Sequence, residues 1–125
     1  MIYPPNIKEI RKFAEEYGID VKYLLGEKYE SGLDLFSVKS LPDNIVFNVG
    51  GWLDLSSVKS LPDNVVFNVG GDLDLFSVES LPANIVFNVG RYVDLNSVEF
   101  IHSSVKFVNY ERLVLPEDKK VKIIW

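Results

Sequence analysis

Neither cysteine nor threonine occurs among the 125 residues. Without cysteine there is no disulfide framework and no thiolate metal site, which suits a reducing compartment, and a cytoplasmic location is the expectation. Without threonine there is no regular threonine array of the kind an ice-binding face would favour. Long apolar runs are missing as well, and the opening stretch MIYPPNIKEIRK sets prolines and charges where a signal peptide needs an unbroken apolar segment. A soluble chain with no membrane partner is therefore expected.

Basic charge is scarce. Thirteen Lys and Arg stand against eighteen Asp and Glu, for a net charge of −5. No basic stripe with interleaved aromatics is present, so direct binding of nucleic acid is not expected. The single histidine, His102, has no cysteine, nucleophile elbow or phosphate-cradling glycine loop to work with, and reads as structural. Some long β-helix enzymes cleave glycosides with aspartate clusters, but loops inserted between coils build their clefts, and here the coils run uninterrupted. No enzyme activity, cofactor or metal is expected.

What the chain does have is a repeat. Residues 31–50 read SGLDLFSVKSLPDNIVFNVG, 51–70 read GWLDLSSVKSLPDNVVFNVG and 71–90 read GDLDLFSVESLPANIVFNVG. Residues 91–110 keep the pattern loosely, and Leu113-Val114-Leu115 begins a fifth, incomplete turn. Each unit holds two alternating runs, Leu33-Asp34-Leu35 and Ile45 to Val49, the second with Ile45, Phe47 and Val49 on its inward side. Leu41-Pro42-Asp43-Asn44 suits a type I turn, repeated at Pro62 and Pro82, and Gly50-Gly51 and Gly70-Gly71 are placed to supply positive φ at a second corner.

Two strands and two corners in twenty residues leave no room for a crossover helix. Each unit is thus expected to form one flattened coil paired in parallel with the next, giving a mainly β fold, a parallel β-solenoid of four to five coils. Equivalent side chains would stack about 4.8 Å apart, with Phe47, Phe67, Phe87 and Phe107 as the spine, and stability would come from neighbour interfaces.

The predicted organisation is a single folded domain: an N-terminal helical cap over 1–30, repeats over 31–110 and a C-terminal capping strand within 111–125. Asn6 is placed as the N-cap of a helix that sets Ile7, Ile10, Phe13, Ala14 and Tyr17 on one stripe and stops at Gly18. A second short helix, capped by Asp20, is expected over 21–25. Pro116 to Lys120 reads as a charged turn and Val121 to Trp125 as a final strand, with Lys120 and Lys122 guarding its edge and Trp125 plugging the core.

The phrase LPDN…VGG.LDL resembles the short leucine-rich-repeat-like units of bacterial and phage proteins, over residues 31–110. The resemblance implies a solenoid that serves as a recognition surface. Because the full L-x-x-L-x-L-x-x-N signature is missing, a straighter rod than a horseshoe is expected.

On the first strand the outward positions form a grid. Asp34, Asp54, Asp74 and Asp94 make one column, flanked by Trp52, Asp72 and Tyr92 on one side and by Phe36 and Phe76 on the other. Carboxylates at that spacing repel by roughly 1 kcal/mol per neighbouring pair even in water. Repeat duplication with screening by solvent would explain the column without a function. A functional reading is that the face docks a basic protein partner, with Trp52 and Tyr92 as rigid anchors; calcium, wanting six to eight surrounding oxygens, fits a flat ladder poorly.

The chain is accordingly expected to be a non-enzymatic protein-binding module. Its rivals are a small acidic inhibitor of phage or mobile-element type, occluding a nucleic-acid-binding enzyme, and a repeat scaffold with no ligand. On the second strand Val46, Val66 and Val86 face outward beside Asn48, Asn68 and Asn88, and form either a homodimer face or a ribbon that is covered by the cap or merely tolerated. The Asn44/Asn64/Asn84 and Ser37/Ser57/Ser77/Ser97 columns are expected to bond locally or along the stack.

Overall fold

A computed structural model describes residues 2–117 and 121–125; the last three residues of the predicted Pro116 to Lys120 turn, with its edge residue Lys120, lie outside them. The chain is a parallel β-solenoid of four coils and part of a fifth, preceded by one helix. Pairing is in twenty-residue register, with Leu33 beside Leu53, Leu53 beside Leu73 and Phe47 beside Phe67, except at the last strand, where Ile123 lies beside Ile101.

The coil has three sides, not the two expected. One sheet collects Leu33–Asp34, Leu53–Asp54, Leu73–Asp74, Tyr92–Asp94 and Arg112–Val114. A second collects Val46–Val49, Val66–Val69, Val86–Val89 and Lys106–Val108. The third, Ser80–Leu81, Phe100–His102 and Lys122–Ile124, is extended toward the N-terminus by a single bridge from Ser60 to Ser80. Its wall exists because every unit turns two further apolar residues inward between the other walls: Val38, Val58, Val78 and Val98 are buried, as are Leu41, Leu61, Leu81 and Ile101.

Inside the triangle the phenylalanine spine is continuous. Ring centroids of Phe47, Phe67, Phe87 and Phe107 lie 5.7, 5.2 and 5.0 Å apart in turn, with planes tilted by only 9 to 12°. Rings related by one coil cannot sit closer than the strand spacing allows, so they slide into offset stacks.

Each corner has its own chemistry. At the first, the aspartate of every Leu-Asp-Leu run accepts the backbone N–H two residues on. At the second, Asn44, Asn64 and Asn84 adopt left-handed backbone with φ of 67, 59 and 67°, a region asparagine tolerates better than other side-chain-bearing residues. The third corner holds the paired glycines, and there the expectation of positive φ fails: among the described glycines only Gly18 and Gly26 have it. Space is the reason instead, since a Cβ on Gly51 would lie 2.7 Å from the Gly32 backbone nitrogen of the coil below.

Helix α1 (Ile7–Glu16) buries Ile10, Phe13 and Ala14 and ends where Gly18 turns left-handed at φ 66°. A 3₁₀ turn, Val21–Leu24, follows, with the Asp20 carboxylate accepting from the Lys22 N–H. Asn6 does not cap α1 with its side chain. Its amide instead donates to the Asp43 carbonyl and accepts from the Asn44 amide, both at 2.9 Å, so it occupies the corner position that an asparagine of a preceding coil would fill.

At the other end Lys122–Ile124 joins the third sheet as its edge strand. Trp125 is 92% exposed and plugs nothing. The inward positions of the last coil belong to Val105, Phe107, Leu113, Leu115 and Val121, which are themselves only partly buried. No helix among the described residues is long and apolar enough to cross a membrane.

Candidate functional site

The aspartate column runs along the first sheet in the expected register, Asp34 beside Asp54, Asp54 beside Asp74, Asp74 beside Asp94. It stops at Val114, which pairs with Asp94. Each carboxylate has local work: Oδ1 of Asp34, Asp54, Asp74 and Asp94 accepts the N–H of Phe36, Ser56, Phe76 and Asn96 at 3.1, 2.9, 3.0 and 3.1 Å. These bonds close the first corner of each coil, a structural role for the column that is independent of any ligand and that the i to i+2 spacing carries in the sequence.

Carboxylate charge in the middle of the column is under strain. Burial pushes the Asp74 carboxyl up from the ordinary value near 3.8, the Phe76 N–H opposes that shift, and Asp54 and Asp94 add to it.

The flanking aromatics do not form one patch. Phe36 and Phe76 are exposed beside the column, but Ser56 stands between them, so the rings are two coils apart. On the other flank the order is Gly32, Trp52, Asp72, Tyr92 and Arg112. Trp52 lies over Gly32, whose missing side chain makes room for the indole. The ring is thereby held flat against the first coil, half exposed.

Tyr92 is the aromatic that meets the acids. Its N–H donates to Asp72 Oδ1 at 3.1 Å, and Asp72, Leu73, Asp74, Tyr92, Asp94 and Val114 together line a hollow of about 200 Å³. Arg91 leans over the Tyr92 ring, its guanidinium carbon 5.4 Å from the centroid, and its Nε lies 3.9 Å from Glu111. The hollow thus combines three carboxylates, an aromatic face that already attracts a cation, and one apolar wall, Val114. Asp34, Asp54, Trp52, Phe36 and Phe76 lie outside it. Among the described residues no three acidic or histidine side chains converge to hold a metal ion.

The second sheet turns Val46, Val66 and Val86 outward in register. Val46 is partly covered and lines an apolar groove with Leu25 and the N-terminal Ile2 to Pro5 segment, whereas Val66 and Val86 are exposed. Beside them the asparagine amides bond along the stack, Asn88 to Asn68 and Asn109 to Asn88. At the second corner Asn64 donates to Asn44 in the same way. His102 accepts from the Ser104 backbone N–H through Nδ1 at 3.1 Å, a local turn contact. Set against protein-family models, curated proteins and solved structures, the chain matches none.

Proposed function

We propose that this chain is a non-enzymatic protein-binding module whose acidic and aromatic face takes up a basic segment of a partner protein. The hollow at Tyr92 carries the reading. A lysine or arginine head placed there meets the carboxylates of Asp72, Asp74 and Asp94 and the face of an aromatic ring, while its aliphatic stem lies on Val114. A bound cation would also relieve the repulsion within the aspartate column, so binding and proton uptake at Asp74 compete. Trp52, fixed over Gly32, and the exposed Phe36 and Phe76 extend the same face as contact surface around that centre. The likeness of the repeat to leucine-rich-repeat-like recognition arrays agrees with this reading.

The test is titration of the intact chain with a fluorescent arginine-rich peptide, beside an acidic control peptide. Expected is saturable binding of the basic peptide, weakened about tenfold or more by Tyr92→Ala and by Asp74→Asn, with the fold intact by circular dichroism. Equal affinity in the parent and both variants would remove the face from consideration.

An inhibitor that occludes a nucleic-acid-binding enzyme would use the same charges against a broader basic surface. The concentration of charge favours this second reading, because residues 31–90 carry seven carboxylates against two lysines. Complexes that DNA displaces and that salt abolishes would mark it; a complex that persists in salt would mark docking through Tyr92.

A further inference from the structure

The first and third repeats differ only where Ser31 matches Gly71, Gly32 matches Asp72, Lys39 matches Glu79 and Asp43 matches Ala83. The last two of these differences fall along the third wall. Read up the stack, the column at the edge of that wall is Lys39, Lys59, Glu79 and Glu99, and all four residues are exposed. The coils are in register there: the Glu79 N–H donates to the Lys59 carbonyl at 3.0 Å and the Glu99 N–H to the Glu79 carbonyl at 2.7 Å. Among the described residues, none of the four takes part in an ion pair. Two cations one coil apart are thus followed by two anions one coil apart, with like beside like in each half.

We propose that this wall is a self-association surface, on which a second copy of the chain packs with its stack reversed. A two-fold axis along the strand direction, between the second and third coils, lays each column over itself in the opposite order. Lys39 and Lys59 of one copy then meet Glu99 and Glu79 of the other, and the same contacts recur across the axis. The neighbouring columns accept this operation. Ser60 meets Ser80 at the axis, and Phe100, 37% exposed, meets the small Ser40. Asp43 and Asp63 meet Ser103 and Ala83, so these two carboxylates face no like charge. The Lys122 ammonium, 5.9 Å over the Phe100 ring, comes to the end of the wall bordered by helix α1, where Glu9 and Glu16 flank Lys12.

Charge chooses the occupant. A uniformly basic partner would be drawn to Glu79 and Glu99 and repelled by Lys39 and Lys59, and an acidic partner the reverse. Two positive charges followed by two negative ones are their own complement on reversal, so a second copy satisfies all four. The other walls lack this property. Reversal sets the aspartate column of the first wall against itself, and the strands Val46–Val49, Val66–Val69 and Val86–Val89 of the second carry no charge. One wall of a few coils is a small contact, so the pair should be weak and sensitive to salt.

Sedimentation of the intact chain over a concentration series at low salt is the test. The expected result is a mass rising from 14.2 kDa toward twice that value by about 300 µM. Lys39→Glu with Lys59→Glu should raise the dissociation constant about tenfold or more, and so should Glu79→Lys with Glu99→Lys. Mixing the two double variants in equal amounts should restore association, because an all-acidic wall then meets an all-basic one. Val66→Lys with Val86→Lys, on the valine ribbon, should leave association unchanged. A parent that stays at 14.2 kDa throughout, double variants that each associate as the parent does, or a mixture that fails to associate while both variants keep the parent's circular dichroism overturns the proposal.

Discussion

The side-chain amide of Asn44 donates to Oδ1 of Asn6 at 2.9 Å across thirty-eight residues of chain. Through that contact the helical cap enters the same asparagine ladder that joins Asn64 to Asn44, and the start of helix α1 is fixed to a corner of the solenoid.

Replacing Asn6 tests which of its two possible roles matters. Asn6→Ala loses both corner bonds and should destabilise the chain by about 1–2 kcal/mol in urea unfolding. Asn6→Asp retains the preference for an N-cap position but cannot donate to the Asp43 carbonyl. It should therefore be destabilised too, and full stability in that variant would show that capping is what counts.

Phe67 has a phenylalanine ring on each side, at 5.7 and 5.2 Å, and no exposed surface. Phe67→Ala should cost about 3–5 kcal/mol, a large part of the stability of a domain this size. Phe107→Ala should cost less, because its ring is only half-buried and is stacked on one phenylalanine neighbour. The comparison of urea midpoints reads this directly.

The Asp74 carboxyl has a higher proton affinity folded than unfolded, through burial and then its acidic neighbours. Its contribution to stability is thus greatest below the ordinary aspartate range and is lost as pH rises through the folded-state value. Asp74→Asn keeps the oxygen that accepts from Phe76 and removes the charge. The variant should melt higher than the parent near neutral pH, with the gap closing as pH falls toward about 3, when melting temperatures are compared across that range.

Much of the fold was legible in the residues. Period-two runs around Phe47, Phe67 and Phe87 and a strict twenty-residue spacing are enough to require parallel coils in register. The third wall was not, because Val38 and Leu41 are three apart and match neither an alternating strand nor a helix of useful length, and because its ladder is short and begins only at Ser60. Gly51 misled for a related reason: glycine signals freedom of φ in a single chain, whereas here the constraint is the backbone of the adjacent coil, which one repeat alone does not display. In the candidate site the aspartate column could be read, but the hollow could not. Its existence depends on Val114 ending the column above Asp94 and on Tyr92 standing beside Asp72, relations between coils that have drifted from the consensus.

Coils this similar raise a problem of assembly order. A nascent coil that paired with the unit two places away, looping out the one between, would find Leu over Leu, Phe over Phe and Asn over Asn just as in the native stack, and lengthening a loop costs only about 0.6 kcal/mol per doubling. Such mispaired forms are nearly degenerate with the native one in their central coils. The irregular contacts break the tie: the Trp52 indole needs the bare Gly32 below it, and Arg91 reaches Glu111 from one coil alone. In this chain the deviations from the repeat, more than the repeat, encode which coil lies on which.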